Sequence, residues 1–254
     1  LTAESAQYVQ ALIAASVNAA TQATELSPHN VLNWLTRGMV YRELVPVMGE
    51  AVDFAIVSYA QAVELESANP SNWTELGKTY LVAAEAIRPF TSSPDEAVAV
   101  EAQGSLAQNL TNAEAAFGKA IELKPNYAPA HFQLALTYVA EGRLDDAIIK
   151  MESIALYNPL DVGVQFQLGV LYLKQGNTAQ AQTAFEKTIS LSPTYSNAHW
   201  FLSSIYEAQG DLARAVQEVE IVLQLNPGNS LVEARLQSLL AGQVSQEAPE
   251  VIEE

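Results

Sequence analysis

The sequence predicts an all-α fold, a right-handed α-solenoid assembled from helix-turn-helix repeats. The first observation is a regular spacing: Pro125, Pro159, Pro193 and Pro227 are each 34 residues apart and end runs such as AIELKP and TISLSP. The second is that apolar and small residues return at helical spacing between these prolines. The third is that no part of the chain requires a strand to account for its pattern. Together they indicate tandem helical hairpins.

The same residue types recur at the same place in each hairpin. The first helix (helix A) carries a leucine, then a small residue, then a tyrosine, and the second helix (helix B) carries an alanine and then a bulky residue. In helix A, the leucines are Leu134, Leu168 and Leu202, the small residues are Ala135, Gly169 and Ser203, and the tyrosines are Tyr138, Tyr172 and Tyr206. In helix B, the alanines are Ala113, Ala147, Ala181 and Ala215, and the bulky residues are Phe117, Met151, Phe185 and Val219.

An earlier stretch, NWTELGKTY, has the same order, with Trp73, Leu76, Gly77 and Tyr80 in the pattern W-x2-L-G-x2-Y. This pattern and the 34-residue period resemble the tetratricopeptide repeat (TPR) family over roughly residues 31 to 241. The resemblance implies a solenoid whose stacked hairpins share a continuous core and a long groove.

The recurring positions have physical explanations. A small residue in helix A, such as Gly77, Ala135 or Gly169, is expected to face an alanine of helix B and let the two axes approach closely, with Tyr and Phe beside the contact. Gly142, Gly176 and Gly210 fall where helix A ends, and Asn177 and Asp211 follow as caps of helix B. Proline then ends helix B, because it cannot continue the hydrogen-bond ladder.

We expect five segments and twelve helices. Residues 1–29 form a leading helix that resembles a helix B without its helix A. Residues 30–127 hold two irregular repeats, 128–229 three regular repeats, 230–241 a cap helix and 242–254 an acidic tail. The first repeat has about five extra residues around LVPVMGE. The second is interrupted by about 24 residues, which we interpret as a loop from Arg88 to Pro94 followed by a lengthened helix B.

Composition narrows the range of partners. The 254 residues include 12 Lys and Arg against 29 Asp and Glu, for a net charge of −17. Such a charge repels phosphate backbones and anionic lipids, so we expect neither nucleic acid nor a membrane surface as partner. The longest apolar stretches are shorter than the roughly 18 residues of a membrane span. With no cysteine, the chain has neither disulfides nor thiolate metal sites.

No catalytic motif is present, so we expect no enzyme activity, no cofactor and no metal site. The histidines are His29, His131 and His199, and the last two occupy the same repeat position two repeats apart, too far to share a metal ion. Two N-x-T sequences, at Asn72 and Asn109, would be glycosylation sites in a secreted protein of a glycosylating organism. Asn72 is equally explained as a residue at a helix start.

The family resemblance also implies which positions of helix A line the groove. They are mostly apolar here, and the candidate binding residues are Leu32, Leu35, Met39, Leu81, Phe132, Leu136, Val139, Phe166, Val170, Leu173 and Trp200. Pro129, Gly163 and Asn197 stand where a clamp for acidic chaperone tails would need lysine, so that ligand is not expected. Either the solenoid covers these side chains itself, or they dock an apolar segment of a partner.

Two functions fit these features. One is a scaffold whose groove binds another protein; the other is a self-assembling protomer of an extracellular or cell-surface filament, since a solenoid has two open ends. The acidic tail, with Val251 and Ile252, is a candidate for the contact between copies. The whole layout also resembles the TPR tails of bacterial polysaccharide polymerase or ligase-like envelope proteins, which implies an extracytoplasmic location. The alternative is a cytoplasmic protein.

Overall fold

The computed structural model describes residues 3–242, and that part of the chain contains twelve α-helices and no strand. The all-α prediction is therefore confirmed. The helices divide into two compact units, an N-terminal unit that ends at Arg143 and a C-terminal unit that begins at Leu144. This division falls within the third predicted repeat, not at its start.

The N-terminal unit holds six helices and the first half of the repeat pattern. Its hairpins are α2 with α3 and α4 with α5, while α1 packs on α2 and α6 packs on α4 and α5. The helices are α1 (Ala3–Leu26), α2 (Val31–Leu44), α3 (Ala51–Leu65), α4 (Pro70–Ile87), α5 (Glu96–Leu123) and α6 (Ala128–Ala140).

The C-terminal unit also holds six helices. It begins with α7 packed on α8, continues with the hairpins α8 with α9 and α10 with α11, and ends with α12 packed on α11. The helices are α7 (Leu144–Tyr157), α8 (Val162–Gln175), α9 (Thr178–Leu191), α10 (Ser196–Ala208), α11 (Leu212–Leu225) and α12 (Ser230–Leu240).

The core of several hairpins is a glycine of helix A against an aromatic ring of helix B. A β-carbon built on Gly77 would lie 2.5 Å from Cε1 of Phe117, and one on Gly38 would lie 2.7 Å from Cε2 of Tyr59. We expected the glycine to face an alanine with the ring beside it. The ring instead occupies the space that a side chain would need, so close approach of ring and backbone is what requires the glycine.

The turns between helices follow the sequence prediction. Gly176 has φ +85°, which places it in the left-handed region, and α8 ends there. Asn177 caps α9 by accepting from the backbone N–H of Gln180, and Asp211 caps α11 in the same way through Arg214. Each side-chain oxygen satisfies a donor that the first helical turn leaves unpaired.

A ring nitrogen near the start of helix A holds the preceding turn. Trp34 Nε1 donates to the carbonyl of Pro28 at 2.7 Å, and Trp73 Nε1 donates to that of Ser67 at 2.8 Å. His131 and His199 stand at the same repeat position and bond through Nε2 to the carbonyls of Pro125 and Pro193. Histidine thus replaces tryptophan without losing the hydrogen bond that fixes the entry into helix A.

Arg37, which replaces the usual leucine of helix A, ties α2 to the leading helix. Its guanidinium lies 5.3 Å from the ring of Trp34 and 5.7 Å from that of Tyr41. Its Nη1 donates to Thr24 Oγ1 of α1 at 3.2 Å. The side chain therefore combines cation–π stacking with a hydrogen bond between helices.

The two irregular repeats differ from the others at neighbouring helix ends. The extra residues of the first repeat form a compact turn in which the amides of Val47 and Met48 both bond to the carbonyl of Leu44. In the second repeat, helix A is lengthened to end at Ile87. The predicted loop there is a 3-10 helix, Arg88–Ser92, and the lengthened helix B after it is confirmed as α5.

Candidate functional site

The predicted groove residues of the N-terminal unit belong to one layer of helices. Within it, α4 contacts both α2 and α6, so the helix A surfaces of three repeats lie side by side. Leu32, Met39 and Leu136 are exposed, with 69%, 49% and 38% of their surface accessible. The remaining predicted residues of this layer are half-buried, and they are Leu35, Leu81, Phe132 and Val139. The layer therefore presents accessible apolar side chains. We call the face of α2, α4 and α6 that carries these seven predicted residues the helix A surface.

In the C-terminal unit, the predicted groove residues are buried or half-buried. Phe166 and Trp200 are only 5% and 4% exposed, while Val170 and Leu173 are half-buried. The expectation that Phe166 and Trp200 are available to a partner is thus wrong for this structure. The second sequence alternative, that the chain covers such side chains itself, applies to these two residues.

Contacts within the C-terminal unit explain this burial. The ring of Phe166 lies 4.9 Å from Tyr195 and 5.7 Å from both Phe185 and Phe201, measured between centroids. Trp200 is covered by α12, whose Arg235 guanidinium lies 5.0 Å from the indole ring. The family resemblance implied a groove position for both residues, because it assigns repeat positions to a face of helix A and does not show which neighbouring side chains cover them.

Arg235 also forms a buried ion pair. Its Nη2 lies 2.6 Å from Glu207 Oε2 and 2.9 Å from Ser204 Oγ, and the two charged side chains are 13% and 4% exposed. The pair joins α12 to α10, so the cap helix is fixed by charge as well as by the buried Val232 and Leu239.

Where α2 meets α4, two cationic side chains surround one carboxylate. Glu75 accepts from Arg42 at 2.8 Å and from Lys78 at 2.7 Å. Burial alone would raise the pKa of Glu75, but the hydrogen bonds from Lys78 and Arg42 outweigh it and hold the pKa below its usual value. The carboxylate therefore remains ionised, and the Arg42 charge is already compensated.

A pocket that the sequence did not reveal lies between the ends of α2 and α4. It has a volume of about 790 Å³ and an apolar lining that includes Val45, Val47, Leu81 and Val82. Of the predicted groove residues, only Leu81 contributes to it. The signal in the sequence was the coincidence of two departures from the repeat, the expanded turn and the lengthened helix A.

The two predicted glycosylation sites are at least partly buried. Asn72 is 2% exposed and its Nδ2 donates to the carbonyl of Ala62 at 3.4 Å, so its prediction as a glycosylation site is wrong for the folded chain. Asn72 lies in the first turn of α4, as expected of a residue at a helix start, and Asn69 is the residue that caps this helix. Asn109 is half-buried within α5 and donates to the carbonyl of Ser105. Glycosylation there stays a prediction.

The described residues contain no group of three or more His, Asp or Glu side chains that could hold a metal ion. Among the histidines, His199 has a specific partner: its Nδ1 lies 2.5 Å from Glu218 Oε2 while Nε2 faces the Pro193 carbonyl. Burial lowers the pKa of His199, but the bonds to Glu218 and Pro193 outweigh it, so the pKa is raised overall. None of the helices in residues 3–242 combines the length and apolar character needed to cross a membrane.

Two family models match adjacent segments of the chain. Residues 106–165 and residues 166–230 each match a family model described as tetratricopeptide repeat. No curated protein sequence matches the chain. The resemblance to envelope polymerase tails stays a prediction.

Several solved structures share the fold. The crystal structure of YrrB, described as a TPR protein with an unusual peptide-binding site, is 16% identical, covers 87% of this chain and 99% of its own, and has a TM-score of 0.56. A structure of MamA is 22% identical, covers 72% of this chain and 93% of its own, with a TM-score of 0.55. A structure of MamA from Desulfovibrio magneticus RS-1 is 16% identical, covers 76% of this chain and 97% of its own, and has a TM-score of 0.53. At these identities the likeness concerns the fold alone.

Proposed function

Because this chain belongs to the tetratricopeptide repeat proteins, we propose that it is a non-catalytic scaffold that binds a segment of another protein on its helix A surface. The observation that carries the proposal is the exposure of Leu32, Met39 and Leu136 on that surface. Exposed apolar side chains gathered on one layer of a folded domain can mark an interaction site. An apolar helix or strand lying across α2, α4 and α6 would remove them from water.

The test replaces the three exposed side chains together by serine. We expect association with the partner, recovered from an extract of the source cells, to be lost. The helical circular dichroism should be kept, because none of the three side chains is buried in the folded chain. A control variant replaces three exposed apolar residues on other helices. The control residues are Val57, Val100 and Leu156. Association that survives in the first variant would place the interface elsewhere.

Phe166 and Trp200 are unsuitable for this test. Serine at either position would leave a cavity in the C-terminal unit and cost about 3 to 5 kcal/mol, so lost association would report unfolding. Only the exposed residues separate binding from stability.

A second candidate function, self-assembly, is supported by the leading helix. Ser16 of α1 stands at the repeat position of Ala55 and Ala113, each 0% exposed beneath its own helix A, yet Ser16 and the nearby Ala19 are exposed. Both are small residues, so a further helix could pack closely on this face. At the other end, α12 is a helix A that no helix B follows among the described residues. We propose α12 of a second copy as the partner of α1 in this case.

Light scattering over a range of protein concentrations tests the assembly. Each copy carries −17, so added salt should promote association by screening repulsion over a Debye length of about 10 Å. Ala19→Arg should reduce it, whereas Ala107→Arg, on the exposed side of α5, should not. A chain that stays monomeric throughout would contradict this candidate. The predicted contribution of tail residues 243–254 lies outside the described residues.

A further inference from the structure

Two irregularities of the repeat pattern meet at one place in the N-terminal unit. The compact turn after α2 forms one wall of the 790 Å³ pocket, and the last turns of the lengthened α4 form the other. In repeat proteins, insertions commonly map to the binding face. The regular hairpins turn instead through Gly176 and Asn177 or Gly210 and Asp211, with no such addition. We call this cavity the turn pocket.

The lining of the turn pocket is suited to an aliphatic side chain. Val45, Val47, Leu81, Val82 and Ala86 contribute its apolar surface. Val45 is buried beneath it, whereas Val47 is 69% exposed at the rim. A volume of this size lies within the range of pockets that hold ligands, and an aliphatic group would displace water from both walls.

The charge at the rim favours a cation. Arg42 is compensated by Glu75, and Glu85 by Arg88 through Oε1 at 2.8 Å, but Glu43 has no hydrogen bond or ion pair with any described residue. Glu43 also lies in the last turn of α2, where the helix dipole is negative and an acidic side chain is disfavoured. The net charge of the chain adds attraction for a basic partner at long range.

We propose that the turn pocket binds a protein segment that inserts an aliphatic side chain between α2 and α4 and places a lysine or arginine beside Glu43. This inference rests on the proposed function and gives the partner of the helix A surface a stated chemistry. The turn pocket adjoins that surface, because Leu81 lines the pocket and belongs to the helix A surface, so one bound segment can occupy both.

Three synthetic labelled peptides of equal length, titrated into the whole chain and followed by fluorescence anisotropy, test the chemistry. One has a stripe of leucine and lysine, the second leucine and glutamate, and the third serine and lysine. We expect the first to bind at least about tenfold more tightly than the others, since burying one aliphatic side chain corresponds to a factor of about ten or more. Equal binding of the leucine–glutamate peptide, or no binding of the first peptide, would overturn the proposal.

Two pairs of variants locate the binding. Val47→Asp should weaken the leucine–lysine peptide about tenfold, while Val57→Asp, similarly exposed on α3 and outside the pocket, should not. Glu43→Gln should weaken it by a smaller factor, up to about fivefold, and Glu64→Gln on α3 should leave it unchanged. If Val47→Asp binds the leucine–lysine peptide as tightly as the unchanged chain does, the proposal for the turn pocket is overturned. If the serine variant of Leu32, Met39 and Leu136 still loses its cellular partner in that case, the proposed function stands without it.

Discussion

Gly169 and Phe185 are packed so closely that a β-carbon on the glycine would lie 2.5 Å from Cε1 of the ring. A β-carbon on Gly77 would lie equally close, 2.5 Å, to Cε1 of Phe117 in the N-terminal unit. Both rings are 0% exposed, so neither can swing into solvent to make room. The glycine and the ring are therefore one structural element, repeated along the chain.

Replacing Gly169 by alanine should destabilise the C-terminal unit by about 1 to 3 kcal/mol, because the added methyl group overpacks against Phe185. The measurement is chemical unfolding followed by circular dichroism. Gly104→Ala is the control, since that glycine lies within α5 with no atom near its missing β-carbon, and alanine there should stabilise by about 0.5 to 1 kcal/mol. Equal effects of the two substitutions would contradict the assigned register.

Replacing Arg235 by methionine should cost about 3 kcal/mol, because the buried carboxylate of Glu207 would lose the guanidinium charge that lies 2.6 Å away. Methionine retains much of the contact with Trp200. Lys119→Met, which breaks the exposed pair with Glu122, serves as the comparison and should change stability by less than about 1 kcal/mol. Adding Glu207→Leu to Arg235→Met should recover part of the loss, and a strictly additive double variant would argue against a coupled pair.

The stability of the C-terminal unit should decrease as the pH rises above the ordinary histidine pKa of about 6.5. The raised pKa of His199 means that its charged form is favoured in the folded chain. The contribution of His199 to stability is therefore complete below the pKa that the ring has in the unfolded chain. It is lost as the pH rises through the higher pKa of the folded chain. Nuclear magnetic resonance titration of the His199 ring should give a value above 6.5, and Glu218→Gln should lower it. An unchanged value in Glu218→Gln would contradict the assigned cause.

Trp73→Phe should destabilise the N-terminal unit by about 1 kcal/mol or more, because the carbonyl of Ser67 loses the indole N–H that it accepts. Thermal unfolding measures the effect. Tyr8→Phe removes a polar group from a ring that is 66% exposed and should have little effect. A loss for Trp73→Phe no larger than that for Tyr8→Phe would show that this bond does not hold the turn.

The sequence predicted the helices well, because their determinants are local. The glycines after helix A, the caps Asn177 and Asp211, and the prolines that end helix B act within one or two turns of their own position. The lengthened α5 could be found because the helical pattern resumes in frame after the insertion. The segment from Arg88 to Pro94 was assigned to a loop, and its 3-10 helix was missed because so short a helix has no distinctive pattern of its own.

The site was predicted less completely, because it depends on side chains from different helices. The family resemblance named Leu32 and Met39 as groove residues, and both side chains are exposed. It could not show that Phe185 and Phe201 cover Phe166, or that Arg235 reaches back over Trp200. The turn pocket was missed for a related reason: its walls come from residues 42–49 and 81–86, and only folding brings the two stretches together.

The turn pocket is lined in part by residues added to the repeat, and none of the recurring glycine–ring contacts contributes to it. A lineage of such chains can therefore gain, exchange or lose this site through changes in two short stretches while the contacts that stack the hairpins are inherited unaltered. Two chains with indistinguishable repeats then need not share a ligand. Relatives would be better sorted by the residues of the turn after α2 and the end of α4 than by how well they fit the repeat consensus.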